Sequence, residues 1–403
     1  MSLPSEIIVM KFGGSVLEDE KSMARAAALV NNAQRKGFGV VVVVSAMKGV
    51  TDRLLSMSKK LNPNASPRML DDVLSVGERT SARLFATALA AYDIEAEVID
   101  PDSRYWPIVT DSRHQDASPI VEETKRKSAE LVLPLLREGK VPVICGFVGR
   151  AANGDVTTLG RGGSDTTAVL LGSSLGAKEV ILIKDVEGVF SSDPDRVSDP
   201  RLVEELWGEE ASLLASGGAK FLHSKALKYK SDNLKIRVTS IERVDSGTVI
   251  HGELPDLQLE VHPEEVTMLT IVGVTSPRDC LTVVHEMIEA SKATLLTMSF
   301  EATSILLYVA GGNNPLETIH NAMVGRGLGK AVSSYEGLTM IAVKGSGLET
   351  QPGLIQRVTQ PLARAGVNVY GMVTISSSIR VFVSSEKAIE AAEMIKSALL
   401  VDK

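Results

Sequence analysis

Cysteine is nearly absent: two in 403 residues, Cys145 and Cys280, far apart and without neighbours at metal-ligand spacing. That count excludes a disulfide-braced or zinc-held chain and fits a reducing compartment. The six histidines are scattered and add no zinc pattern. No run rich in lysine and arginine offsets the net charge of −7, so a nucleic-acid footprint is missing. No apolar stretch approaches a membrane span; near the start the longest, Ile7–Met10, has the length of one strand. Met1 to Glu6 lack the basic and apolar segments of a secretory leader. The absences predict a soluble, cytoplasmic protein that binds neither membrane nor nucleic acid. What is present is ordinary for a globular chain, 44% hydrophobic and 23% charged, and the length implies two or three domains.

Taken in order, the first half alternates strands with helices. Ile7–Met10 reads as a buried strand, Lys21–Lys36 as a helix ended by Gly37, and the valine run from Gly39 to Ser45 as a strand buried on both faces. A long helix spans Asp71–Ala91; Ala96–Ile99, Val141–Cys145 and Val180–Ile183 are further strands. The alternation implies an open, mostly parallel α/β sheet sandwiched by helices, with ligands at its carboxyl edge. Loops after Met10, Val44 and Cys145 would share that rim. No Gly-x-Gly-x-x-Gly follows the first strand and no Walker lysine motif occurs; Gly325-Arg-Gly-Leu-Gly329 ends a helix rather than starting one. Beyond about Glu260 a β-α-β-β-α order occurs twice. The strands are Val266–Val274, Thr294–Phe300 and Ile305–Val309, then Leu338–Lys344, Asn368–Thr374 and Ile379–Val383, with a short Lys330–Ser334 strand between the copies. This is a tandem ferredoxin-like repeat. The second copy lacks a long final strand, which a neighbour or a partner chain would have to lend. The expected division is 1–258, 264–335 and 336–403.

Thr157–Ala168 carries the densest chemistry. Its glycines allow sharp turns and close backbone approach, Ser164 or Asp165 suits a helix N-cap, and Arg161 offers a fork for carboxylate or phosphate. Lys11, after the first strand and before Gly13 and Gly14, is placed to lean over a phosphate. Ser45 and Thr51 bring hydroxyls to the same rim, although each also suits a turn or helix cap. Glu78, after Gly77 within a helix, is by composition a solvated acid. Lys184 and Asp185, with Phe190 and the polar loop to Asp195, suit ribose and adenine. Lys220 is a further phosphate lysine or a surface charge.

The joint order of these blocks is more specific than any one. Lys11-Phe-Gly-Gly-Ser15, Val43-Val-Ser-Ala-Met-Lys-Gly-Val-Thr51, Gly77-Glu78, Thr158-Leu-Gly-Arg-Gly-Gly-Ser-Asp165, Lys184-Asp-Val-Glu-Gly-Val-Phe190 with Asp193-Pro194, and Gly218-Ala-Lys-Phe-Leu-His223 resemble, in sequence order, the motifs of aspartate kinases, members of the amino-acid kinase family. The tandem repeat resembles their paired ACT domains. The resemblance implies transfer of the ATP γ-phosphate to the β-carboxylate of aspartate, the first step of lysine, threonine and methionine biosynthesis. That carboxylate is ionised at neutral pH, so no general base is needed. Lys11 would stabilise the phosphoryl group and Asp165 would orient it. Gly13, Gly14, Ser15, Gly162 and Gly163 would line the phosphates. Arg161 would clamp the α-carboxylate and Glu78 receive the ammonium, with Ser45, Thr51 and Ser164 around them. Lys184, Asp185, Phe190, Asp193 and Lys220 would serve ATP. Mg²⁺ would arrive on the nucleotide, with no metal site of the protein's own.

The chain departs from the family pattern at four places. Gly13-Gly14-Ser15-Val16 is one residue short of the usual loop, and Lys184 stands where threonine is common. Phe190 replaces a tyrosine and Ser224 a proline. In the regulatory half the expected effector residues are Ser276, Asp279 and Asn368, the last in the Gly366-Val-Asn368 turn of the second copy. Lysine or threonine would be the ligand, and homodimers or larger assemblies would form through the ACT domains. Two other readings stay open on sequence: a sibling kinase acting on glutamate or N-acetylglutamate, and a non-catalytic amino-acid sensor.

Overall fold

The computed structural model describes Pro4 and residues 6–219, 221–252, 257–274, 277–345, 348, 353–375 and 378–400. They belong to two compact units, Met1–Leu254 and Pro255–Lys403.

The first unit opens with β1 (Ile7–Phe12), a short 3₁₀ turn, α1 (Glu20–Arg35) and β2 (Gly39–Val44). Helices α2 (Val50–Leu61) and α3 (Pro67–Ala90) precede β3 (Ala96–Ile99), β4 (Val109–Thr110), α4 (Val121–Lys127), α5 (Leu133–Arg137) and β5 (Val141–Cys145). Next come β6 (Val148–Ala151), β7 (Val156–Thr158), α6 (Gly163–Ser174) and β8 (Glu179–Lys184). The unit finishes with β9 (Val189–Phe190), β10 (Leu202–Val203), β11 (Glu205–Trp207), α7 (Gly208–Ser216), α8 (Ser224–Leu227), β12 (Lys235–Ser240) and β13 (Thr248–His251). Its main sheet has the order β11-β13-β12-β8-β1-β2-β5-β3, and every pair except β12–β13 is parallel. Five successive valines make β2 completely buried, as a central parallel strand requires. Local signals set the helix starts. Asp19 accepts the Ser22 amide at 2.8 Å, and Ser66 caps α3 with Pro67 in its first turn. Ile8 and Met10 face α1, whereas Lys11 points to the opposite face, under α6. The sheet is thus covered on both sides.

The second unit is a single antiparallel sheet. Its elements are β14 (Gln258–Val261), β15 (Val266–Val272), α9 (Pro277–Ser291), β16 (Thr294–Glu301), β17 (Ser304–Ala310), α10 (Pro315–Met323), β18 (Ala331–Lys344), α11 (Leu354–Arg364), β19 (Gly371–Ile375), β20 (Ser378–Ser384) and α12 (Ala388–Leu400). The order is β16-β17-β15-β18-β20-β19, with β14 also paired to β18. Two expected strands, Lys330–Ser334 and Leu338–Lys344, prove to be one. The first half of β18 pairs with β15 and closes the first copy, while its second half pairs with β20 and opens the second. The expected junction at 335/336 lies inside that strand, so the copies share it. The strand missing from the second copy is β14, which runs antiparallel to Ile341–Lys344. Each copy keeps a core under its own helices, around Leu269, Met287 and Leu307 in the first and Ile341, Val358 and Ile395 in the second. On the other sheet face Tyr308 stacks on Phe382 at 4.0 Å.

Candidate active site

The carboxyl ends of β1, β2, β5 and β8 bring four loops together. Ser45 donates its amide to Phe12 O and Lys48 to Gly14 O, which ties the loops after β1 and β2. A side chain at Gly14 would collide with Ala46 O, and one at Gly146 with Ser164 and Val44 O, so both glycines are needed for close approach. Gly77 does the same for α3, where a methyl group would lie 2.8 Å from the Ala46 side chain. That proximity lets Glu78 Oε1 accept the Ala46 amide at 3.1 Å.

At the centre Asp165 holds two lysines. Lys11 Nζ is 2.8 Å from Oδ1 and Lys184 Nζ 2.6 Å from Oδ2, and all three side chains are largely buried. Burial by itself opposes ionisation of Asp165, but the two ammonium groups outweigh it and hold the carboxyl well below the usual range. It is a permanent anion, unsuited to act as a base. Burial also lowers Lys11; Asp165 counters this and Lys184 reinforces it. Glu78 differs from its expected solvated state. It is 3% exposed, and its Oε2 has no hydrogen-bond partner among the described residues. Burial pushes its carboxyl up to about 7, against the Ala46 amide and the Lys11 charge.

The helix start was expected to be capped by Ser164 or Asp165. Instead Gly162, at φ +74, is the cap and α6 begins at Gly163, which frees Asp165 to face the lysines. The amides of Gly13 and Gly163, expected beside phosphate, donate to Ile183 O and Gly160 O, both at 3.0 Å. Both amides are thus spent within the fold, where they shape the backbone of the two loops. Ser45, Thr51 and Phe190 are half-buried; Asp185 and Arg161 are exposed. Arg161 makes no ion pair with any described residue and sits between Gly160 (φ +73) and Gly162. Asp193 Oδ1 accepts the Asp195 amide at 3.0 Å within its own turn, and the side chain is half exposed. Lys220 and Ser276 lie outside the described residues, as does the side chain of Asp279; Asn368 is exposed.

Two supports of the loop are not evident in the sequence. Lys225 Nζ bonds Asp116 Oδ1, Ala117 O and Leu159 O, and so straps the glycine loop to the segment before α4. Asp71 is completely buried and binds His114 Nδ1 at 2.8 Å, the Gln115 amide and Thr158 Oγ1 at 2.6 Å. A signal existed: Asp71 lies seven residues before Glu78, on the same stripe of α3. Among the described residues no group of three or more His, Cys, Asp or Glu side chains is placed to hold a metal ion. No described helix is long and apolar enough to cross a membrane.

The site thus combines the carboxyl edge of a mostly parallel sheet, a buried lysine–carboxylate cluster and a glycine loop that opens a helix. Residues 6–240 match the model of the amino acid kinase family, and 333–397 that of the ACT domain. The aspartokinase of Geobacillus stearothermophilus is 31% identical over 97% of each chain. Aspartate kinase from Synechocystis superposes with a TM-score of 0.80 at 24% identity, covering 99% of this chain and 70% of that one. Escherichia coli aspartokinase III in complex with aspartate and ADP gives 0.56 at 24% identity, over 98% and 100%. The chain belongs to the amino acid kinase family and, within it, to the aspartokinases.

Proposed function

We infer that the protein transfers the γ-phosphate of ATP to the β-carboxylate of L-aspartate, giving 4-phospho-L-aspartate. The observation that carries this is the buried Lys11–Asp165 pair at the carboxyl edge, facing a Glu78 whose second oxygen has no partner among the described residues. Lys11 offsets the charge that gathers on the phosphoryl oxygens, and Asp165 fixes its position. The unpartnered Glu78 oxygen receives the aspartate ammonium, while Arg161 takes the α-carboxylate as a bidentate pair. Ser45, Thr51 and Ser164 flank the acceptor; Asp185 and Phe190 serve the nucleotide. Mg²⁺ would arrive bound to the phosphates of the nucleotide.

A hydroxylamine-trapping assay with ATP and aspartate, glutamate or N-acetylglutamate tests the reading. Hydroxamate from aspartate alone is expected; product from another acid, or none, overturns it. We further propose that the second unit, Pro255–Lys403, holds two ACT repeats that share β18, that they bind lysine or threonine with Asn368 involved, and that they pair copies of the chain in the cytoplasm. Repeating the assay and a melting curve with saturating lysine and threonine decides this; no change in either would refute it.

Glu78 gives a pH signature. Its folded carboxyl is pushed up to about 7 from a usual 4.5, so the folded chain keeps a proton that the unfolded chain has lost between those values. Stability contributed at this site therefore falls as pH rises through that window. Glu78→Gln keeps an acceptor for Ala46 and is expected to exceed the parent by up to ~3 kcal/mol at pH 8, with no difference at pH 4. Urea melts at both pH values check this, and parallel curves would remove the argument. Aspartate binding should weaken in the same variant, because its ammonium loses a charged partner.

A further inference from the structure

In the β1–β8 pairing Lys11 stands opposite Leu182. Residues two apart on a strand share a face, so Lys184 projects on the same side as Lys11, one step nearer the carboxyl edge. The first turn of α6 then places Asp165 between them, one carboxylate oxygen for each ammonium. Two cations share the one carboxylate that both touch, while burial pushes the nearby Glu78 carboxyl up to about 7, towards its neutral form. Asp185 adds some attraction for Lys11 from an exposed position, but among the described residues neither lysine has another ion pair. One lysine would be enough to balance the charge of Asp165. A second buried cation without its own counter-charge is costly unless an anion arrives to complete the balance. The Lys184 side chain is 15% exposed against 7% for Lys11 and for Asp165, so it is the more accessible of the two lysines. Its sequence expectation, contact with ribose or adenine, does not explain why its ammonium is turned toward Asp165.

We propose that Lys184 is a second phosphate-contacting lysine, which together with Lys11 grips the phosphoryl group in transfer while Asp165 sets the spacing of the two ammonium groups. In the step itself an aspartate β-carboxylate oxygen bonds to the γ-phosphorus. The bond from that phosphorus to the β,γ-bridging oxygen breaks, its electron pair leaves with ADP, and no proton moves. Lys11 and Lys184 bear on the equatorial and leaving oxygens, where negative charge grows. For the identity of the acceptor the proposal rests on the aspartate reading; for the phosphate contact it does not.

The test uses the full chain and three variants, Lys184→Met, Lys184→Arg and Lys184→Thr, with ATP and AMP affinities by calorimetry and kcat by hydroxamate formation. Lys184→Met is expected to weaken ATP roughly tenfold while AMP stays within about twofold, because only ATP carries the gripped phosphate. Its kcat should fall about a hundredfold, the scale of losing one preorganised donor, and Lys184→Arg should recover part of that loss. Equal weakening of ATP and AMP would move Lys184 to the nucleoside end and overturn the proposal. An unchanged kcat with unchanged ATP affinity would reduce it to a partner of Asp165. If the methionine variant does not fold, Lys184→Thr, which leaves a small hydroxyl there, is read in the same way. If the parent forms no hydroxamate from aspartate, the acceptor reading has failed, and the ATP–AMP comparison still decides the role of Lys184.

Discussion

Lys11→Met is expected to lower kcat by about two to three orders of magnitude while leaving the fold intact. Lys11 is 6% exposed, so an unbranched side chain of similar length avoids a cavity, and the loss is confined to charge. Asp165 does not become an orphan, because Lys184 Nζ still lies 2.6 Å from its other oxygen. An unpaired buried carboxylate would otherwise destabilise the chain by several kcal/mol. The prediction therefore separates chemistry from stability: single-turnover phosphoryl transfer collapses while the melting temperature stays within a few degrees. Unchanged turnover in this variant would remove the mechanism.

Arg161→Ala has the second largest expected effect, and on a different constant. The side chain is exposed and makes no ion pair with any described residue, so its removal leaves nothing behind unpaired. The two positions that flank it are closely packed. At Gly162 a methyl group would run into the His223 side chain, and at Gly160 into Asp116, so the loop has little freedom to relax. A charge-assisted contact to a carboxylate contributes about 1.5–3 kcal/mol, so the KM for aspartate should rise roughly 10- to 150-fold. The KM for ATP should change by less than about twofold, since a contact made only to aspartate cannot act on the nucleotide. Initial-rate kinetics with each substrate varied in turn measures both. A larger change for ATP would reassign the arginine to phosphate.

The parts of this site visible in the sequence share one physical origin, the carboxyl edge of a parallel sheet. Lys11 follows the apolar Ile7–Met10 run and Lys184 the Val180–Ile183 run, so both could be put on the rim from periodicity alone. The apposition of Lys184 with Asp165 could not. It depends on the rotation of α6, which is set by a helix starting at Gly163 rather than after a side-chain cap at Ser164 or Asp165. The burial of Glu78 is hidden from composition for a related reason. Burial of a helix face follows from what packs on it, and the close approach of Ala46 across Gly77 leaves only a missing side chain as its trace. In the second unit Tyr335-Glu336-Gly337 suggests a turn, and Gly337 does adopt φ +76, yet the strand continues through it. Pairing with β15 on one stretch and with β20 on the next overrides the local signal. Strand β14 has too short and too weak an alternation to announce where it pairs.

That last strand has a consequence for the order in which the chain is made. Val261 pairs with Ile341, so β14 leaves the ribosome about eighty residues before its partner exists, with the whole first repeat synthesised in between. Throughout that interval its backbone donors and acceptors have no ladder to join. The closing of so long a loop is slow compared with helix formation and local hairpins. The first repeat also waits for residues 331–335 to receive its last strand. The first strand of the second unit is therefore joined only after the whole first repeat has been made. A pause in translation within the first repeat would leave an unpaired edge exposed just after the catalytic unit has emerged.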